Sequence, residues 1–195
     1  TQSYLMNRLL LTYVFSLILL IVSMWFAISI GSVKIPISTL WDAKTNPTAH
    51  HILWNLRMPR VVLAGLVGAS LALAGAALQG LLKNPLADPY TLGISSGASV
   101  GAVATIFFGI SLPFSGQFTL PIFSMVGAIV TMVIVISFAR LVDRTMKMET
   151  FILTGIIFSS FLGSCISLMI ALTGEQLREI IGWILGSVSN RGWSY

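Results

Sequence analysis

Two arginines three residues apart, Arg57 and Arg60 in the stretch RMPR, are the most chemically pointed pair in the sequence. A guanidinium is planar and permanently charged, and its fork meets a carboxylate through two parallel N–H···O bonds. One reading of the pair is a dock for carboxylates on a partner; the other is interfacial snorkelling, with stems in lipid and charged heads in water. A second polar knot, KNPLADP at 83–89, carries Asn84, Pro85, Asp88 and Pro89. Proline lacks the N–H a helix interior needs and biases its predecessor away from the α region. Asn84-Pro85 therefore ends one helix, and Asp88-Pro89 resets the chain before the next. His50 and His51 adjoin with no third ligand nearby and read as a loop dipeptide without metal. Cys165, the only cysteine, and Met125, Met132 and Met169 read as packing residues in apolar runs. There is no GxxxxGK[ST] phosphate loop and no HExxH pair. No catalytic residue, metal site or cofactor is expected.

The elements that carry these residues follow from composition. Only 9% of residues are charged and 56% are hydrophobic, and the mean hydropathy is +0.93. Soluble domains have about 25% charged residues, so this chain cannot build a water-solvated surface. Residues 9–33, 61–82, 89–139 and 150–174 hold no Asp, Glu, Lys, Arg or His. About 20 apolar residues suffice for a helix to cross a bilayer. The third run is interrupted by Pro113 and Pro121 and divides in two. The expectation is an all-α polytopic membrane protein with five spans, near 9–31, 61–82, 92–111, 119–140 and 150–172, in one domain over 1–195. No alternating ten-residue pattern suggests a barrel, and the first run is too long for a signal-peptide core. The basic residues are few and scattered, which gives nucleic-acid binding no support. With a cytoplasmic N-terminus they split five inside against six outside, so charge does not orient the chain.

Small residues recur at every fourth position: Ala64, Gly68, Ala72, Ala76 and Gly80; then Gly97, Gly101, Thr105 and Gly109; then Gly155, Ser159, Gly163, Ser167 and Ala171. In lipid such stripes let helix backbones approach closely. The first span is bulky all round and is expected at the periphery. None of the spans holds an internal acid, histidine or lysine, whereas ion-coupled transporters place ionisable groups at membrane depth. If the chain moves a solute, the energy comes from another polypeptide.

The stretch RMPRVVLAGLVGASLALAGAALQGLLKNPLADPYTLGISSGASVG resembles the signature of bacterial permeases that import ferric siderophores, haem and vitamin B12, the FecCD-type or type II ABC importer transmembrane subunits. TFILTGIIFSS resembles the start of that family's fifth span, and LREIIGWILGSVSNRGW its short external helix and the tryptophan before the sixth. The likeness runs from the first span to Trp193.

The resemblance implies an N-terminal half of such a permease, with a short external helix near 175–187. It implies ATP-driven import by alternating access, with hydrolysis by a separate ATPase subunit. The implied partners are a second permease subunit, same or homologous, cytoplasmic ATPase subunits and an extracytoplasmic substrate-binding protein, in the lipid of a bacterial cytoplasmic (inner) membrane. By position, Arg57 and Arg60 match the arginines that dock acidic groups of the binding protein, which places them outside and the N-terminus in the cytoplasm. Met148, Glu149 and Thr150 match a cytoplasmic gate region where the family often has small hydroxyl residues. Gly155, Ser159, Gly163 and Ser167 lie on a helix that lines the path, where their stripe suits either tight packing or a smooth wall. Asn84, Pro85, Asp88 and Pro89 form a structural signature turn. Two other classes compete: a fragment of a secondary transporter, and a membrane scaffold without transport of its own.

Overall fold

The computed structural model describes residues 2–31, 33–42, 44–113, 116–189 and 191–194, and every regular element among them is helical. The α-helices are α1 (Gln2–Ser29), α2 (Pro47–His51), α3 (Met58–Leu82), α4 (Ile94–Phe107), α5 (Thr119–Val142), α6 (Met148–Leu172) and α7 (Leu177–Leu185). Among the described residues four helical stretches are long and apolar enough to cross a membrane: Tyr4–Ser29, Pro47–Leu82, Gly116–Val142 and Met148–Leu172. Contacts divide the chain into two compact units, Thr1–Ala69 with Val188–Tyr195, and Ser70–Ser187.

In the first unit, α1 is largely apolar and is exposed over most of its length, with Ile28 near its end buried. Its hydroxyls fold back on the helix: Thr12, Ser16 and Ser23 donate to the carbonyls of Arg8, Thr12 and Leu20 at 2.8–2.9 Å. They therefore present little polarity to lipid. α2 starts where Asn46 accepts from the Ala49 N–H at 3.1 Å, with Pro47 at the first helical position, an arrangement that suits both residues. A small core of Ile28, Ile35, Ala49 and the fully buried Leu53 joins the end of α1 to this region.

The second unit is held by backbone-to-backbone packing. A Cβ added at Gly101 would stand 2.2 Å from the Phe123 carbonyl oxygen, and one at Gly127 would stand 2.3 Å from that of Gly97. At Gly155 it would meet the Thr91 oxygen at 2.6 Å. The contacts run antiparallel, Gly97 beside Gly127 and Gly101 beside Phe123, so α4 lies along α5 at a distance only glycine allows. Two cores flank this seam. Leu92, Val135, Ala139 and Phe151 form one, and Val103, Ile106 and the α7 residue Ile180 form the other. The helix expected near 175–187 is thus α7, seated on Ile180.

The third expected span, 92–111, is helical for only 14 residues, or about 21 Å. Glycine sets both limits. Gly93 precedes the helix at φ +81°, and Gly109 follows it at φ +63°. Gly109 donates to Ile106 at 3.1 Å while Ile110 donates to Thr105 at 2.9 Å, the paired bonds of a Schellman cap. Gly109, expected in the packing stripe, meets nothing within 4 Å and serves as the stop. The flanks still track α5, since Leu92 shares a core with Val135 and Ala139 and the Leu112 N–H reaches the Thr119 hydroxyl at 3.1 Å. From Ala139 to Thr119 α5 rises about 30 Å, the thickness of a bilayer core.

The stripe on α3 differs from that on α4. Nothing lies within 4 Å of a Cβ at Gly65, Gly68, Gly75 or Gly80. Gly101→Ala is therefore expected to lower the thermal midpoint of the purified protein in detergent, by an overpacking cost of about 1–3 kcal/mol. Gly75→Ala should leave the midpoint unchanged or raise it, because alanine favours helix by about 1 kcal/mol. Equal midpoints for the two variants would contradict the seam.

Candidate functional site

Arg57 and Arg60 flank a proline, and that proline shapes the helix that presents them. In a regular α-helix Pro59 would press its ring on the Asn55 carbonyl and offer no N–H. Residues Ile52–Arg57 instead form a π-helical turn, in which the Met58 N–H reaches the Leu53 oxygen. Local insertions of this kind widen a helix by one residue. The next carbonyl, on Trp54, would take its bond from residue 59 and finds none there. The Trp193 indole supplies it: Nε1 donates to the Trp54 oxygen at 2.8 Å, and the two indoles lie 5.6 Å apart.

The two arginines are held differently. Arg57 is half-buried, and its Nη1 donates to the Ile28 carbonyl at 2.8 Å and to that of Ser29 at 3.2 Å. Its Nη2 donates to the Val33 carbonyl. The last carbonyls of a helix have no partner of their own, so Arg57 caps α1 with hydrogen bonds worth about 1.5–3 kcal/mol each for a charged donor. Gly31 makes room, since a Cβ there would stand 2.6 Å from Arg57 Nη2. Arg60 is half-buried and its Nε is sealed from solvent without a hydrogen-bond partner. Both side chains line one cleft of about 360 Å³, with Ala27, Ile30, Gly31 and Val61 among its walls.

The neighbouring histidines are occupied within the chain. His50 Nδ1 lies 3.0 Å from the Thr39 carbonyl, which requires the proton on that nitrogen, and the Asn55 amide lies 2.9 Å from His51 Nδ1. Among the described residues no group of three His, Cys, Asp or Glu side chains could hold a metal ion.

The signature turn is built from local bonds. The Lys83 N–H reaches Gly80 at 3.4 Å and that of Asn84 reaches Gln79 at 3.1 Å, with Lys83 in the left-handed region at φ +48°. Asn84 Oδ1 accepts from Leu86 at 2.9 Å, and Asp88 Oδ1 from Thr91 at 2.7 Å. Pro85 and Pro89 sit between these bonds, at positions that need no donor.

Met148, Glu149 and Thr150 form the first turn of α6, where an acid such as Glu149 suits the helix dipole. Asp143, absent from the sequence expectations, organises the link before them. Its carboxylate accepts from the Thr145 hydroxyl at 2.6 Å, the Thr145 N–H at 2.9 Å and the Lys147 N–H at 3.2 Å. The Thr145 hydroxyl, then its N–H, hold the Asp143 carboxyl below the usual carboxylate range.

The four residues expected along a path do not share one environment. Gly155 is buried against Thr91 and Leu92. The Ser159 hydroxyl is buried without a partner. Gly163 has open space around it, and the exposed Ser167 hydroxyl returns to the Gly163 carbonyl at 3.1 Å.

Trp193→Phe is expected to destabilise the first unit by about 1 kcal/mol, the net value of a hydrogen bond. In a Pro59→Ala background, where residue 59 has an N–H, the loss should shrink to near zero. A double-mutant cycle of thermal midpoints checks this, and additive losses would contradict it.

The FecCD transport family model matches residues 19–195. An uncharacterized ABC transporter permease protein of Bacillus subtilis is 52% identical over 206 residues, covering 100% of this chain and 58% of that protein. The hemin transport system permease protein of Yersinia pestis is 36% identical over 182 residues, covering 92% of this chain and 54% of its own length. The chain thus spans about half the length of the curated relatives it matches. A solved structure described as an inward-facing conformation of a metal-chelate type ABC transporter superimposes with a TM-score of 0.77 at 28% identity, covering 94% of this chain and 56% of that one. The chain belongs to the FecCD transport family.

Proposed function

We propose that residues 1–195 are the N-terminal half of the permease subunit of an ATP-driven importer for iron-siderophore, haem or cobalamin chelates. The family match over residues 19–195 carries this reading. The relatives named as hemin, cobalamin and iron-uptake permeases support the cargo class. The spans add a physical reason. Residues 61–82 and 89–139 hold no Asp, Glu, Lys, Arg or His, so these spans offer no carboxylate, histidine or lysine relay with which to draw on an ion gradient. A weakly polar wall lets a large chelate pass without a tight site.

Alternating access then requires partners: a second permease subunit, cytoplasmic ATPase subunits that hydrolyse ATP, and a binding protein that delivers the chelate. The membrane is the bacterial cytoplasmic membrane, with the N-terminus inside and five spans, α4 with its flanks serving as the third. In this arrangement Arg57 and Arg60 dock acidic groups of the binding protein on the outer face. Met148, Glu149 and Thr150 stand at the cytoplasmic gate, where the Asp143 turn fixes the start of α6. On α6 the open upper part of the stripe, Gly163 and Ser167, faces the path, while Gly155 secures the lower part against Leu92.

Proteoliposomes holding the complete permease, its ATPase and its binding protein test the proposal. ATP-dependent uptake of a ferric chelate, haem or cobalamin is expected. Arg57→Glu with Arg60→Glu should reduce it at least tenfold, as breaking interfacial charge pairs costs about 2 kcal/mol or more. Uptake driven by an ion gradient without ATP would overturn the proposal.

A further inference from the structure

We infer that the slot between α1 and α3 is a phospholipid site, with one acyl chain laid between the two helices. In the first unit α1 joins the core near its end, through Ile28. Before that point it leaves a slot of about 370 Å³ against α3, walled by Leu20, Met24 and Ala27 on one side and by Val61, Ala64 and Gly65 on the other. Small residues on facing helices ordinarily let the backbones close. These do not close, since a Cβ added at Gly65 would meet nothing within 4 Å.

The walls select the occupant. Water finds no partner there, because the one hydroxyl on the wall, that of Ser23, already donates to the Leu20 carbonyl at 2.8 Å, and apolar cavities stay dry. A helix is too thick: one turn, roughly 10 Å across, fills ~420 Å³, which is more than the whole slot. An acyl chain is a single file of methylenes and needs no hydrogen bond. It restores the dispersion contacts that an unfilled gap forfeits. Arg60 is the only ionisable residue on the wall, and it stands where the slot meets the arginine cleft. Charge at one end and hydrocarbon along the rest is the pattern of a phospholipid, with its head group at that end.

A phosphatidylcholine carrying a diazirine on one acyl chain tests the site. The complete permease is loaded with it in nanodiscs, extracted into detergent to strip loosely held lipid, and irradiated, and the adducts are located by mass spectrometry. Adducts at Leu20, Met24 and Ala64 are expected to exceed those at Ile18 and Val22, exposed on the other side of α1, by at least about tenfold. Gly65→Phe, which fills the slot, should lower the slot adducts by a similar factor. Leu73→Phe, at an exposed position further along α3, should leave them unchanged.

Equal adducts on the two sides of α1, or slot adducts that survive Gly65→Phe, would overturn the site. A benzophenone maleimide on Gly65→Cys, in a Cys165→Ser background, gives a second reading. Photolinks to lipid are expected. Photolinks to a later segment of the complete permease would mean that protein fills the slot, and would overturn the inference.

Discussion

A backbone carbonyl or N–H that leaves a helix inside an apolar chain must find a partner, because lipid offers none. Several of the polar residues in this protein serve that constraint. Arg57 takes the last carbonyls of α1, and Trp193 takes the carbonyl that Pro59 cannot. Asn84 and Asp88 close the turn after α3, Thr119 accepts from the loop before α5, and Asp143 gathers the donors ahead of α6. With 9% of its residues charged, the chain places several of its polar side chains where helices stop.

The same economy shapes the packing. In lipid the hydrophobic effect does not press helices together, so close backbone approach must do so. The seam of Gly97, Gly101 and Gly127 supplies it for α4 and α5, and Gly155 fastens α6 to the turn at Leu92. α3 has the richest small-residue stripe and meets nothing along it at Gly68 or Gly80.

The long helices were legible in the sequence because uncharged runs of 20 residues or more have few other meanings. The length of α4 was not: Gly93 and Gly109 sit in a run as apolar as its neighbours, and only their positive φ marks them as limits. Every-fourth spacing drew attention to Gly109 and passed over Gly127, which makes the tighter contact, since a period reports a helix face and not what stands opposite. Arg57 and Arg60 were found as a pair, but their difference was hidden. It depends on the carbonyls of Ile28, Ser29 and Val33, at and after the end of α1, lying against Arg57, and nothing in RMPR records that. Two signals were present and unread: the DRT of residues 143–145, an aspartate two before a threonine as in an Asx turn, and a proline five residues after Trp54, which removes the donor that a π-helical turn would need.

For the import reading, the decisive geometry is whether the short α4 crosses the membrane. α3 carries Arg60 near its start and ends at Leu82, so a crossing α3 puts the signature turn on the face opposite the arginine cleft. A crossing α4 then returns the Asp143 link to that same inner face; a re-entrant α4 would leave the link outside. Lys44 and Arg144 are both exposed in loops, which the five-span reading assigns to opposite sides. In a Cys165→Ser background of the complete permease, Lys44→Cys and Arg144→Cys can each be labelled in intact cells with a membrane-impermeant maleimide. Labelling of Lys44→Cys alone is the expected result, and labelling of Arg144→Cys from outside would contradict the five-span importer.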